Sequence, residues 1–227
     1  GGAMMFSAVF FGIYLKQLWL IPLMYVPFFT GTFVVEIFRN DGSPILNVAL
    51  SILGHIYISL PFSCLCLMES LGGWNGGEWM GGLFVLCFFI AIWVSDTGAY
   101  LVGMTIGKHK LYERVSPKKS WEGFWGGFVL ACLVGYFLGK FLVDSEYNPQ
   151  INGRQLYSFE YCIFFALVSV LGTLGDLVES LFKRYFQVKD SSNLLPGHGG
   201  FLDRFDSALV AAPFAFTLLI CFFYGGN

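Results

Sequence analysis

Six apolar runs, each about as long as a lipid bilayer is thick, constrain this chain more than any other feature. Crossing the hydrocarbon as a helix takes about 20 predominantly apolar residues. The runs Leu18–Phe38, Ile45–Met68, Met80–Gly103, Gly123–Val143, Phe159–Phe182 and Ser207–Tyr224 each supply roughly that length. A shorter piece, Met4–Leu15, ahead of Lys16 and Gln17, adds a seventh candidate. A soluble core accommodates one or two such runs but not half a dozen. A composition of 56% hydrophobic and only 12% charged residues also lies outside the soluble globular range. The predicted fold is all-α: a polytopic integral membrane helical bundle of about six to seven transmembrane helices. Breaker clusters at Asp41-Gly42-Ser43-Pro44, Gly72-Gly73, Gly76-Gly77 and Asn148-Pro149 separate the runs.

The net charge of −2 hides strong clustering. Loop 104–122 carries Lys108, Lys110, Arg114, Lys118 and Lys119; loop 183–206 carries Lys183, Arg184, Lys189 and Arg204. Arg39 sits in the short loop 39–44, on the same side by span count. The opposite loops, 69–79 and 144–158, hold Arg154, with Lys140 near a span end. Basic loops of membrane proteins face the cytoplasm, so the two long basic loops are expected there. Cys64, Cys66, Cys87, Cys132, Cys162 and Cys221 all lie in apolar runs without a C-x-x-C pair, which argues against zinc and redox centres. The opening Gly-Gly-Ala-Met-Met lacks the basic region of a signal peptide.

Asp96, Asp176 and Glu179 lie in or at the edge of apolar runs. An ionisable group within the hydrocarbon costs about 2.5–3.5 kcal/mol on insertion scales, so it normally faces a polar cavity. Asp176, Glu179 and Lys183 recur at i, i+3 and i+7, on one helix face. A Glu179–Lys183 salt bridge accounts for that pair and leaves Asp176 unexplained. Asp203 and Asp206 open the last run, where the helix dipole favours carboxylates. Following His198-Gly199-Gly200 and facing an intramembrane Asp176, they also make a sensible set for a hard divalent cation, because Mg2+ takes a few carboxylates and completes its shell with phosphate and water. The two glycines let backbone approach a phosphate. His55, in a span, and His109, in a basic loop, read as structural. In loop 104–122, Lys and hydroxyl side chains suit a triphosphate; an anionic-lipid-attracting cluster is the alternative.

The stretch Ser180-Leu-Phe182-Lys183-Arg184, Lys189-Asp190, Ser192, then Pro196-Gly-His198-Gly199-Gly200-Phe201-Leu-Asp203-Arg204-Phe205-Asp206 resembles the signature of the CDP-diacylglycerol synthases (phosphatidate cytidylyltransferases) without mismatch. Trp93-Val-Ser-Asp96-Thr-Gly98-Ala-Tyr100, Gly107-Lys108-His109 and Ser116-Pro117-Lys-Lys119-Ser120-Trp-Glu122-Gly123 are similar to the same family. The resemblance runs from about Trp93 to the C-terminus. It divides the chain into N-terminal transmembrane helices, residues 1–92, and a catalytic transmembrane region, residues 93–227. Family members usually carry additional N-terminal helices, so this chain is expected to begin partway through that region.

The resemblance implies cytidylyl transfer from CTP to phosphatidate, giving CDP-diacylglycerol and pyrophosphate. It implies an integral protein of a bacterial-type cell membrane with its site facing the cytoplasm. Asp176 and Asp203 would hold a Mg2+ centre, with Asp206 assisting and a second metal ion left open. Lys183, Arg184, Lys189 and Arg204 would face phosphates, and Ser116, Lys119 and Ser120 would complete a nucleotide or lipid-phosphate pocket. Asp96, Lys108, Ser180, Asp190, His198, Gly199 and Gly200 are further candidates for substrate contact. The implied partners are CTP, phosphatidate and the bilayer, with a homodimer compatible and nucleic acid not expected. Two other readings stay open: a CTP-dependent lipid-alcohol kinase, and a cation-coupled transporter using Asp96 and Asp176. A transporter often shows an internal repeat, and none is visible.

Overall fold

The computed structural model describes residues 20–39, 42–71, 80–145, 147–151, 153–192 and 200–225. Helix α1 is Leu20–Phe38. Helix α2, Pro44–Gly54, starts after Gly42, whose φ of 75° turns the chain. Pro44 sits in its first turn, where a missing N–H matters least. A π-helical segment, His55–Ser59, joins α2 to α3, Leu60–Ser70. Together they form one apolar helix of 27 residues. Helix α4 is Met80–Ile106, α5 Trp121–Val143, α6 Ser158–Tyr185 and α7 Leu202–Tyr224. Among the described residues five helices are long and apolar enough to cross a membrane, and Tyr25–Phe38 of α1 is a shorter apolar piece. The polytopic helical fold expected from the sequence is therefore present. The candidate helix Met4–Leu15 lies outside the described residues.

Two small departures from an all-helical picture occur in the connectors. Strands β1, Lys110–Tyr112, and β2, Ser116–Ser120, form an antiparallel hairpin within the basic loop between α4 and α5. Strands β3, Gln150–Ile151, and β4, Arg154–Gln155, form a second, minimal one before α6. Helix α6 also outruns its apolar stretch, because Lys183 and Arg184 complete its last turn, where cations suit the carbonyl end. It closes on Gln187, at φ 55°: the Val188 N–H donates to the Lys183 carbonyl (3.0 Å) and the Gln187 N–H to the Arg184 carbonyl (3.2 Å). That is a Schellman-type ending with glutamine where glycine is usual.

Helix α5 packs against α4 on one side and α6 on the other; α6 packs on α7, and α3 on both α4 and α7. The cause is a stripe of small residues at every fourth position of α5: Gly123, Gly127, Ala131, Gly135 and Gly139 are all buried. A Cβ on Gly127 would run into the Ser95 carbonyl and Ala99 of α4, whereas one on Gly135 or Gly139 would strike Phe165 or Tyr161 of α6. The first half of the stripe serves α4 and the second half serves α6. Such stripes let membrane helices approach closely, where hydrophobic segregation from lipid cannot drive packing. A buried Ser95–Ser169 hydrogen bond of 2.6 Å then ties α4 to α6. Phe84, Phe88, Phe164, Phe165 and Val168 fill the remaining interior, while side chains such as Ile45, Trp125 and Phe137 face outward, as lipid-facing positions do.

Candidate active site

A cavity of about 890 Å³ opens at the loop end of the bundle, walled by α4, β2, α5, α6 and α7. On α4 its lining runs from Phe89 through Asp96 to Met104, about 22 Å of helix axis at 1.5 Å per residue. Toward the middle of α4 the lining is apolar, with Phe89, Ile92 and the exposed Trp93; at the hairpin end it carries Lys118, Lys119 and Ser120. Between them lie Asp96, Asp176 and Asp206, with Asp203 and Arg204 at the side. Gly175 makes this convergence possible, since a Cβ there would strike the backbone of Asp206 and Ser207 and hold α7 off α6.

The charges are organised in two groups. Lys119 Nζ meets Asp176 Oδ2 at 2.5 Å, and the Ser180 hydroxyl donates to Asp176 Oδ1 at 3.2 Å. Lys183 bridges the second group: its Nζ lies 2.5 Å from Glu179 Oε2 and 2.9 Å from Asp203 Oδ1. Asp203 Oδ2 accepts the Ser191 N–H (2.9 Å), the Ser191 hydroxyl (2.6 Å) and the Gly200 N–H (2.8 Å). One carboxylate thus closes the base of the loop that departs at Ser191 and returns at Gly200. A Cβ on Gly200 would collide with Ser191 Oγ and Ser192, so that closure requires glycine.

Asp96, Lys119, Ser120, Asp176, Asp203, Arg204 and Asp206 all reach the cavity. Ser180, Lys183 and Gly200 stand one contact behind it. Arg184 Nε donates to the Val115 carbonyl at 3.4 Å, fastening the β1–β2 hairpin to the end of α6. The two basic loops therefore meet. Lys108 is not brought to the cavity: it borders a separate concavity with His109, Lys110, Glu113, Trp121, Glu122 and Trp125. There Glu122 accepts the Lys108 and His109 N–H groups and the His109 ring at 2.6 Å. Ser116 begins β2 opposite Tyr112, and Lys189 and Asp190 are exposed. His198 and Gly199 lie outside the described residues.

Glu179–Lys183 was legible as an i, i+4 pair, but Ser191 and the Lys119–Asp176 contact were not. Ser191 carries no signal beyond its position beside Ser192 of the signature text. No pattern in the sequence links Lys119 to a carboxylate in a later span.

The donor set suits a hard cation. Asp96, Asp176 and Asp206 share a cavity in which Lys119 is the cation bonded directly to one of them. Like-charged carboxylates in one site resist joint ionisation unless a cation intervenes. Among the described residues no three His, Cys, Asp or Glu groups close into a ready metal cluster. Mg2+ does not require one, since it keeps water and substrate phosphate in its shell.

The architecture defines a class: a polytopic helical membrane protein with a charged cavity at one end of the bundle whose lining turns apolar along α4. Within that class the chain belongs to the cytidylyltransferase family, whose profile matches residues 2–222. It is 39% identical over 176 residues to the phosphatidate cytidylyltransferase of Bacillus subtilis, covering 78% of this chain and 60% of that protein. It is 44% identical over 137 residues to the enzyme of that name from Staphylococcus haemolyticus, and 46% over 138 to that of Staphylococcus aureus strain COL; each match covers 60% of this chain and 49% of the relative. The chain thus spans about half to three-fifths of the length of these curated relatives.

Proposed function

We propose that this chain carries the site for cytidylyl transfer from CTP to phosphatidate, yielding CDP-diacylglycerol and pyrophosphate. The observation that carries the reading is the polarity of the cavity: cations at its hairpin end, carboxylates midway, and an apolar stretch of Phe89, Ile92 and Trp93, the last of them exposed at the bundle's side. One water-soluble polyanion and one lipid can share such a space. The family and the names of the relatives support the same chemistry.

In this proposal a phosphatidate oxygen attacks the α-phosphorus of CTP, the bond to the β-phosphate oxygen breaks, and pyrophosphate leaves. The nucleophile is already an anion, so no strong base is required. The chain's task is to hold two polyanions together and stabilise charge on the leaving group. Lys119, Arg204, Lys118 and Arg184 supply cations around the mouth, with Lys183 anchoring from behind. Ser120, Ser180, Lys189, Asp190 and the His198-Gly199-Gly200 turn contribute polar contacts. Asp176 and Asp206 would hold Mg2+, joined by Asp203 through Oδ1, which accepts from Lys183. When bound, the ion would neutralise phosphate charge and stabilise the departing pyrophosphate. The same reading places the cavity mouth on the cytoplasmic side and includes a homodimer as its assembly.

The test is a single assay with purified protein, phosphatidate, CTP and Mg2+, following pyrophosphate and CDP-lipid together. Equimolar appearance of both is expected. Absence of CDP-lipid there, with release of CDP and phosphorylation of a lipid alcohol supplied in a parallel reaction, would favour the kinase reading.

A further inference from the structure

The π-helical segment His55–Ser59 lies well ahead of the charged signature stretch in sequence, yet it places Tyr57 against the charged network. The Tyr57 ring packs edge-to-face on Phe182 of α6, with centroids 5.5 Å apart. Its hydroxyl is buried and lies within electrostatic reach of Glu179, Lys183 and Asp206. That hydroxyl has no hydrogen-bond partner among the described residues, and neither has Glu179 Oε1. Glu179 is 1% exposed, the most deeply buried of the charged side chains. A buried polar atom without a partner is unfavourable, and two such atoms in one neighbourhood are most economically satisfied by each other. π-Bulges are rare and recur at functional sites, because the extra residue per turn re-aims a side chain that an α-helix would point elsewhere.

We propose that Tyr57 is a positioning residue: its hydroxyl donates to Glu179 Oε1 through one bridging water, and Glu179 in turn fixes Lys183 on Asp203. The chain of contacts runs from Tyr57 on the π segment to Glu179, then Lys183, then Asp203, and ends at the Ser191 and Gly200 amides that close the site loop. The N-terminal half thereby sets the geometry of a site whose reacting groups lie in the C-terminal half. The kinetic side of this inference rests on the cytidylyl-transfer reading; its structural side does not.

The experiment uses the whole chain in detergent, with Tyr57→Phe, Glu179→Gln and the double variant. Tyr57→Phe keeps the ring on Phe182 and removes one oxygen; Glu179→Gln is isosteric. Two measurements are made on each: steady-state kinetics, and hydrogen–deuterium exchange of the amides of Ser191 and Gly200 against those of α5. Each single variant is expected to lower kcat about tenfold, the range for loss of a group that orients another, with KM for CTP changed less than twofold. The double variant should be no worse than Glu179→Gln alone, because residues acting through one path are not additive. Exchange at Ser191 and Gly200 should quicken about tenfold in both singles while α5 is unchanged. Additive losses, full activity with unchanged exchange in Tyr57→Phe, or faster exchange throughout the bundle would each overturn the proposal. If the wild type makes no CDP-lipid, the function reading falls, and the exchange measurement alone decides the positioning role.

Discussion

At the residue scale, Asp203 illustrates how one side chain serves several neighbours. Its two oxygens take hydrogen bonds from Lys183, Ser191 and Gly200. Asp203→Ala would orphan all of them, and hydrogen bonds to a charged group are worth about 1.5–3 kcal/mol each before relaxation. A loss of about 2–4 kcal/mol in detergent stability is expected by chemical or thermal unfolding. Asp203→Asn, which keeps an acceptor oxygen, should retain most of that stability while losing CDP-lipid formation. Lys119→Ala leaves Asp176 without the ion pair it makes at 2.5 Å, in a cavity that admits two polyanions on the cytidylyl-transfer reading. It should raise KM for CTP about tenfold or more, since one charged contact to phosphate is worth more than about 1.4 kcal/mol, and Lys119→Arg should recover part of the effect. Unchanged KM in Lys119→Ala would remove Lys119 from the phosphate site. Much of this network was readable beforehand. Asp176 and Glu179 stood out because charge near hydrocarbon demands a reason, Lys183 followed from helix periodicity, and Asp203 from its place after the Gly-Gly turn at the start of the last run. Ser191 and the Lys119–Asp176 contact did not, because tertiary folding alone brings those residues together.

At the element scale, α5 is governed by what it lacks. Gly127→Val inserts bulk where the Ser95 carbonyl and Ala99 already touch, and overpacking of this kind costs about 1–3 kcal/mol or more. Gly82→Ala, in α4, has open space around it and should be neutral or slightly stabilising, because alanine suits a helix better than glycine. Comparing the two by thermal unfolding separates a packing requirement from a general intolerance of substitution; equal losses would count against the stripe. Gln187→Gly should stabilise the end of α6 by about 1 kcal/mol, the order of the left-handed penalty it relieves. The apolar runs foretold these helices to within a few residues, because bilayer thickness fixes their length. The period-four glycines were also visible in the sequence, but their split allegiance to α4 and α6 was not. The β1–β2 hairpin was hidden in a segment whose cations drew attention to charge rather than to alternation.

At the scale of the whole molecule, the basic hairpin and the end of α6 touch through Arg184 and Val115, so the two long basic loops share one side of the bundle. Single cysteines at the Lys110 and Ser192 positions, in a background cleared of the native thiols, should react with an impermeant reagent from the cytoplasmic side only. Access from opposite sides would end the shared-site reading. That the two basic loops lie on the same side of the bundle was legible from the span count and the clustering of Lys and Arg. The division at residue 92 was drawn only by resemblance, and the positioning role proposed for Tyr57 would cross it. The interlocked helices have a further consequence for membrane traffic. The cavity begins at one surface and ends against Phe89, while Ala131, Phe165 and Val168 of the bundle interior are fully shielded. On the cytidylyl-transfer reading, a lipid that enters from one leaflet would leave by that same leaflet. The chain would then convert a lipid without flipping it, and vesicles containing it should keep a labelled lipid on its original side throughout turnover.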